Sequence, residues 1–278
     1  MKLATVEIDG RETFGAVLDD GFMELGTPEC STLKAFIARG KHEQPLSASE
    51  PKYPIADLVW RPPITAPSRI VCVGVNYDLH RLEMGRDVPE HPVLFVRFPS
   101  SFVGHHRALL KPSVSDRFDY EGELAVVMGR RVRRIDRSEA YTAIAGYTCL
   151  LDGSVRDWQR HTSQFTPGKN FDASGAFGPW LVTRDEIDDP HRLLLRTRVN
   201  GEVLQEASTG QMTFQIPQLV AYISTFTTLE PGDIIATGTP GGVGDKRSPP
   251  RYLADGDRVE VDIEKIGTLS NPVTSELR

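Results

Sequence analysis

Cysteine is scarce: Cys30, Cys72 and Cys149 stand far apart in 278 residues and never form a Cys-x-x-Cys pair. That excludes a disulfide framework and a cysteine zinc site, and sets the expectation of a reducing, cytoplasmic compartment. Long apolar runs are missing too. No stretch approaches the roughly 18–20 residues of a bilayer-spanning helix. The opening Met1-Lys2-Leu3-Ala4-Thr5 leads into acidic, turn-rich sequence rather than the apolar core of a signal peptide. Basic excess is also lacking, with 32 Lys and Arg against 38 Asp and Glu for a net charge of −6. This argues against nucleic acid or an anionic membrane as partner. Neither a P-loop nor a Gly-x-Gly-x-x-Gly turn occurs, so nucleotide binding is poorly supported.

What is present fits a folded enzyme-sized chain. Hydrophobic residues make up 39% and charged residues 25%, which are globular values. The 24 glycines and 20 prolines imply many tight turns and a sheet-rich fold. Residues 1–62 read as a small β-rich N-terminal domain: alternating strands near Leu3–Ile8 and Phe14–Leu18 are separated by Asp9-Gly10 and closed by Asp19-Asp20-Gly21. A short helix around Leu33–Arg39 follows, with Ser31 as expected N-cap and Gly40 as stop. The proline-dense stretch Trp60 to Pro67 marks the boundary, and residues 66–278 form the second domain. There, strands are expected at Ile70–Val75, Leu124–Met128, Leu193–Val199, Glu202–Gln205, Asp233–Ala236 and Val259–Ile263. Ile216–Phe226 carries helical spacing.

Glu121 and Glu123 are two apart at the start of an apolar strand, so they project to one side. Two adjacent carboxylates repel unless a cation or a proton neutralises one, or water solvates both on an edge strand. Asp152 follows the apolar run Ala143–Leu151, and the three acids make a hard-oxygen set suited to Mg²⁺, Mn²⁺ or Ca²⁺ rather than zinc. Asp119 shares the face of the two glutamates but serves equally well to cap the turn, and is not counted as a ligand. His80 and Glu83 lie three apart in an expected helix, as an ordinary surface pair or as an imidazole whose tautomer a carboxylate fixes for general-base work. Gly85 to Pro92 then reads as a mobile lid. Arg156 and Gln159, also three apart, suit a substrate carboxylate or form an ordinary helix-surface pair. Lys169 suits a developing oxyanion or is simply solvated. The glycine loop Gly238–Gly244 offers backbone N–H groups to an anion.

Taken in order, Val73 to Glu83, Asp119 to Leu124, Gly146-Tyr147 through Asp152, Arg156 to Gln159, Pro231-Gly232-Asp233 and Gly238 to Gly244 resemble the fumarylacetoacetate hydrolase family over about residues 66–274. The resemblance implies a mainly β chain whose large domain is a mixed β-sandwich roll, and a homodimer. It implies Mg²⁺ or Mn²⁺ on Glu121, Glu123 and Asp152. His80 and Glu83 become a water-activating dyad, Lys169 lies near the reacting oxygen, and Arg156, Gln159, Thr239 and Tyr77 bind substrate. Four features depart from the family pattern: Arg97 stands where lysine is common, Gly153 where a small aliphatic is common, Asp172 to Trp180 differs from the commoner segment that places proline before Gly-Pro, and the interval from Asp152 to Lys169 is short. The activity this implies is hydrolytic cleavage of a carbon–carbon bond in a 2,4-diketo acid of acylpyruvate type, as in aromatic-compound catabolism. Its rivals at the same enolate are decarboxylation, tautomerisation or isomerisation of a 2-oxo acid, and dehydration of a sugar acid. A non-catalytic metal-bound module is the alternative of a different class.

Overall fold

The alternating stretches fold as strands; among the described residues two large sheets pack on a shared core, and Phe118–Asp119 pairs with Ser154–Val155 as a small third sheet. The computed structural model describes residues 1–45 and 53–277; residues 46–52 and 278 of the two expected domains lie outside the described residues. The larger sheet has 11 strands. Its spatial order is Gly21–Glu24, Arg11–Leu18, Lys2–Ile8, Gly175–Thr183, Ile144–Leu151, Gly122–Met128, Ile234–Ala236, Ile70–Gly74 and Val93–Val96, with Val59–Trp60 and Phe102–Val103 at its side. The second sheet runs Glu202–Ser208, Leu194–Val199, Arg258–Ile263, Gly267–Ser275 and Leu109–Lys111. Most neighbours are antiparallel, but Ile70–Gly74 lies parallel to Ile234–Ala236, so the sandwich is mixed as expected.

Burial explains the packing. Val259, Val261 and Ile263 are buried while Glu260 and Asp262 are half-buried, the period-two signature of a strand with one face on the core. They meet Leu124, Val126, Tyr147 and Cys149 of the larger sheet. A Cβ on Gly122 would meet Thr197 Oγ1 at 2.0 Å. Glycine there lets the second sheet press against the backbone between Glu121 and Glu123. The helix Ile216–Phe226 spans the residues its spacing predicts, buries Ile216, Leu219, Val220 and Ile223, and starts with a Gln215/Gln218 capping box.

Two sequence expectations change. The first helix is Leu33–Ala38, capped by Thr32 rather than Ser31, because Thr32 Oγ1 accepts the Ala35 N–H at 3.1 Å. The strand from Ile70 stops at Gly74 because Val75 turns into the left-handed region, at φ 57°. The first strand joins the larger sheet, Lys2 and Leu3 pairing with Val182 and Leu181. Among the described residues no helix is long and apolar enough to cross a membrane.

Candidate active site

Strand pairing assembles the acids. Gly122 lies opposite Leu151 and Glu123 opposite Leu150, and the Asp152 N–H donates to the Glu121 carbonyl at 2.8 Å. Two neighbouring strands therefore deliver Glu121, Glu123 and Asp152 to one point, where an oxygen from each lies within 4.8 Å of the others. All three side chains are buried.

Cations surround this point. Lys169 Nζ donates to Glu121 Oε2 at 2.6 Å and to Asp152 Oδ2 at 2.5 Å. Arg97 Nη1 donates to Asp152 Oδ1 at 2.7 Å. Arg156 Nε donates to Asp119 Oδ2 at 2.8 Å, and its Nη2 approaches Glu121 Oε1 to 2.7 Å as an ion pair. Four buried carboxylates thus face three buried cations. Among the described residues Glu123 is the one left without a cation, and the hydrogen bond it accepts comes from the Gly238 N–H, at 2.9 Å. Burial would raise the Glu121 carboxyl, but the charges of Arg156 and Lys169 and the Lys169 hydrogen bond outweigh it and hold Glu121 low. For Glu123 burial, reinforced by Asp152 and Glu121, drives the carboxyl well above its ordinary value. Oxygen-only donors and an uncompensated negative charge fit a hard divalent cation.

This imbalance predicts a pH effect. With its carboxyl raised in the folded state, Glu123 favours the metal-free fold when protonated, and that contribution is lost as pH rises through the raised value. A cation binds the deprotonated form. The gain in Tm on adding Mg²⁺ should therefore grow from pH 5.5 to pH 8; thermal melts with and without the ion check this, and a gain that shrinks with pH contradicts it.

The candidate base sits across the same cavity. Asn76 is fully buried and fastens the turn after Gly74, donating to Thr237 O at 2.7 Å and Phe214 O at 3.0 Å and accepting from Phe214 N at 2.8 Å. These bonds hold Val75 in a conformation a β-branched residue avoids. The helix Asp78–Glu83 follows, and His80 Nδ1 lies 3.0 Å from Glu83 Oε2. Glu83 Oε1 accepts the Gly242 N–H at 3.2 Å. With Nδ1 held by a carboxylate, Nε2 is the acceptor; it has no hydrogen-bond partner among the described residues.

The cavity encloses about 70 Å³ and is lined by His80, Glu121, Glu123, Asp152, Lys169 and Thr239, with Arg156 and Gln159 beside them. Val73, Met84, Phe95 and Phe165 give it apolar walls. The structure places Tyr77 elsewhere: it does not line the cavity, its ring packs in the core, and its buried hydroxyl finds no partner among the described residues. Arg156 is engaged with Asp119 and Glu121 rather than free for a substrate carboxylate, and it also holds Gln159 Oε1 at 3.0 Å. The glycine loop is corrected likewise. Its N–H groups go to the protein's own carboxylates: Gly238 to Glu123, Gly242 to Glu83, and Gly244 with Asp245 to Asp119 at 2.9 Å each. Thr239 donates to Gly122 O and accepts from Gln205, both at 2.9 Å.

Sequence reasoning missed three supports. Asp119 ties Arg156 to the glycine loop. Asn76 sets the turn that leads to His80. Arg97 positions Asp152 while also bonding Ser101 and Ser174, at 3.1 and 2.8 Å. Gly153 belongs to the same arrangement, since a Cβ there would sit 1.8 Å from Ser174 O. The short interval to Lys169 is bridged by the helices Arg156–Gln159 and Thr166–Lys169, which pack together; a Cβ on Gly168 would lie 2.3 Å from Gln159 N.

The profile of the fumarylacetoacetate hydrolase C-terminal domain matches residues 69–274. The oxaloacetate tautomerase YisK of Bacillus subtilis (strain 168) is 39% identical over an alignment of 300 residues, covering 98% of this chain and 100% of its own. The mitochondrial oxaloacetate tautomerase Fahd2a of Rattus norvegicus is 40% identical over 265 residues, covering 93% and 84%. Among solved structures, maleylpyruvate hydrolase from Sphingobium sp. SYK-6, in complex with manganese(II) and pyruvate, is similar at a TM-score of 0.83 and 28% identity, covering 100% of both chains.

Proposed function

We propose, from the premise that the chain belongs to the fumarylacetoacetate hydrolase family, that it interconverts the keto and enol forms of a 2-oxo acid of the oxaloacetate type. The observation that carries this is a buried acidic triad and a carboxylate-held imidazole facing one small cavity. The names of the relatives at about 40% identity favour tautomerisation over the hydrolysis expected from the motifs. Mg²⁺ or Mn²⁺ on Glu121, Glu123 and Asp152 would supply Lewis-acid stabilisation of enolate charge.

The chain's own residues move the protons. His80 Nε2 takes the proton from C3, and Glu83 stabilises the imidazolium that results. Burial would lower the Lys169 ammonium, but Asp152 and Glu121 raise it, so it stays protonated. Two of its N–H groups are engaged with those carboxylates, which leaves one to donate to the oxygen at C2. One proton leaves carbon for His80 and one reaches oxygen from Lys169, and exchange with solvent returns the imidazole to its neutral form and the ammonium to its charged form, so the reaction balances as an isomerisation.

A second reading, hydrolysis of an acylpyruvate, is favoured by the same His80–Glu83 pair, because an imidazole so held also activates water. Oxaloacetate and an acylpyruvate panel, followed by enol absorbance and mass spectrometry, separate the two. The proposal expects rapid oxaloacetate interconversion that a chelator abolishes and Mg²⁺ or Mn²⁺ restores. Acylpyruvate cleavage as the fast reaction gives the site to hydrolysis, and activity indifferent to chelation contradicts both. The reading includes a homodimer, checked by light scattering.

A further inference from the structure

Four cationic side chains line the cavity: Arg86, Arg156, Arg160 and Lys169. Three of them already face protein carboxylates. Arg156 holds Asp119 and Glu121, Lys169 bridges Glu121 and Asp152, and Arg160 pairs with Asp245 through two nitrogens. Arg86 is different. Its guanidinium has no ion pair and no hydrogen bond among the described residues, and the residue is exposed.

Its backbone, in contrast, is firmly placed. The helix Asp78–Glu83 ends in a Schellman motif: Gly85 takes the left-handed conformation at φ 64°, its N–H donates to Leu82 O at 3.0 Å, and the Arg86 N–H donates to Arg81 O at 3.1 Å. Arg81 Nη1 also donates to the Arg86 carbonyl, at 2.8 Å. Arg86 is thus carried by the helix that presents His80 and Glu83.

We propose that Arg86 receives the second carboxylate of a 2-oxo diacid and makes the site select diacids over 2-oxo monoacids and neutral acylpyruvates. The inference rests on the reading of the site as one that enolises a 2-oxo acid. In that reading the 1-carboxylate and 2-oxo group lie at the buried triad, and the far end of the substrate lies toward the exposed side of the cavity. The apolar lining of the cavity, Met84, Phe95 and Phe165, accepts carbon but offers nothing to a carboxylate. A carboxylate placed against them without a cation is costly. Arg156 cannot turn to it without stranding the buried carboxylates of Asp119 and Glu121. A free guanidinium at the mouth matches a carboxylate with two parallel hydrogen bonds.

Arg86→Gln and Arg86→Lys test this in the Mn²⁺-loaded protein, with short calorimetric titrations of oxaloacetate and pyruvate beside steady-state kinetics on oxaloacetate. The Gln variant should raise the Kd and KM for oxaloacetate roughly 10- to 100-fold, leave the Kd for pyruvate unchanged, and be partly rescued by Lys. Equal weakening of both ligands, or no weakening of either, overturns the proposal. The binding ratio is read without turnover. A wild type that binds oxaloacetate in preference to pyruvate, and loses that preference in Arg86→Gln, supports Arg86 as receptor even where no tautomer exchange is seen; that absence tells only against the reaction.

Discussion

His80→Ala should lower turnover by about 10²- to 10⁴-fold, the usual contribution of a positioned general base, while Mn²⁺ still binds. The expectation follows from geometry. Nδ1 is held by Glu83, Nε2 is left for the substrate, and the imidazole belongs to the helix Asp78–Glu83 rather than to the strands that carry the acids. Glu83→Gln should cost less, because an amide oxygen still accepts from Nδ1–H but no longer balances an imidazolium. Calorimetric Mn²⁺ affinity measured beside the tautomer assay separates the roles. A His80→Ala protein that loses metal affinity in step with activity, or keeps full activity, refutes the assignment.

The second large effect is on stability. In Lys169→Met four buried carboxylates would face only Arg97 and Arg156, with Glu121 and Asp152 both losing a partner. Removing one member of a buried ion pair costs about 3–5 kcal/mol, so the metal-free variant should unfold at markedly lower denaturant. A divalent ion replaces the lost positive charge, so the stabilisation by Mg²⁺ should be larger in the variant than in wild type. Chemical denaturation of both proteins, with and without the ion, checks this; an unaltered midpoint without metal means that the lysine does not bridge the carboxylates. Tautomerase activity should remain low in the variant even with the ion bound, since the donor to the C2 oxygen is gone.

Local pattern reached the elements whose signals are local. The spacing of Ile216, Leu219, Val220 and Ile223 defined a helix, and the alternation around Val259–Ile263 defined a strand. Glu121 and Glu123 were legible as a pair because strand geometry puts positions two apart on one side, and Asp152 because an apolar run led to it. What stayed hidden depended on partners far along the chain. Asp119 reads as a turn residue until Arg156, Gly244 and Asp245 come to it from elsewhere. The glycine loop suggested an external anion because its N–H groups have no visible partner in sequence, whereas folding brings Glu83, Glu123 and Asp119 to them. Tyr77 was drawn toward the cavity by its neighbours in the motif, yet its ring turns into the core. Nothing local announces that the first strand joins the larger sheet, with Leu3 opposite Leu181.

Everything in the chemistry depends on Glu121, Glu123 and Asp152 gripping one ion. Crystals grown with Mn²⁺ and recorded at an energy where manganese scatters anomalously test this most directly. The account predicts a single strong peak within about 2.0–2.6 Å of an oxygen from each of the three carboxylates, with Lys169 still beside Glu121 and Asp152. No peak there, or a peak elsewhere while the lysine alone bridges the acids, would contradict it.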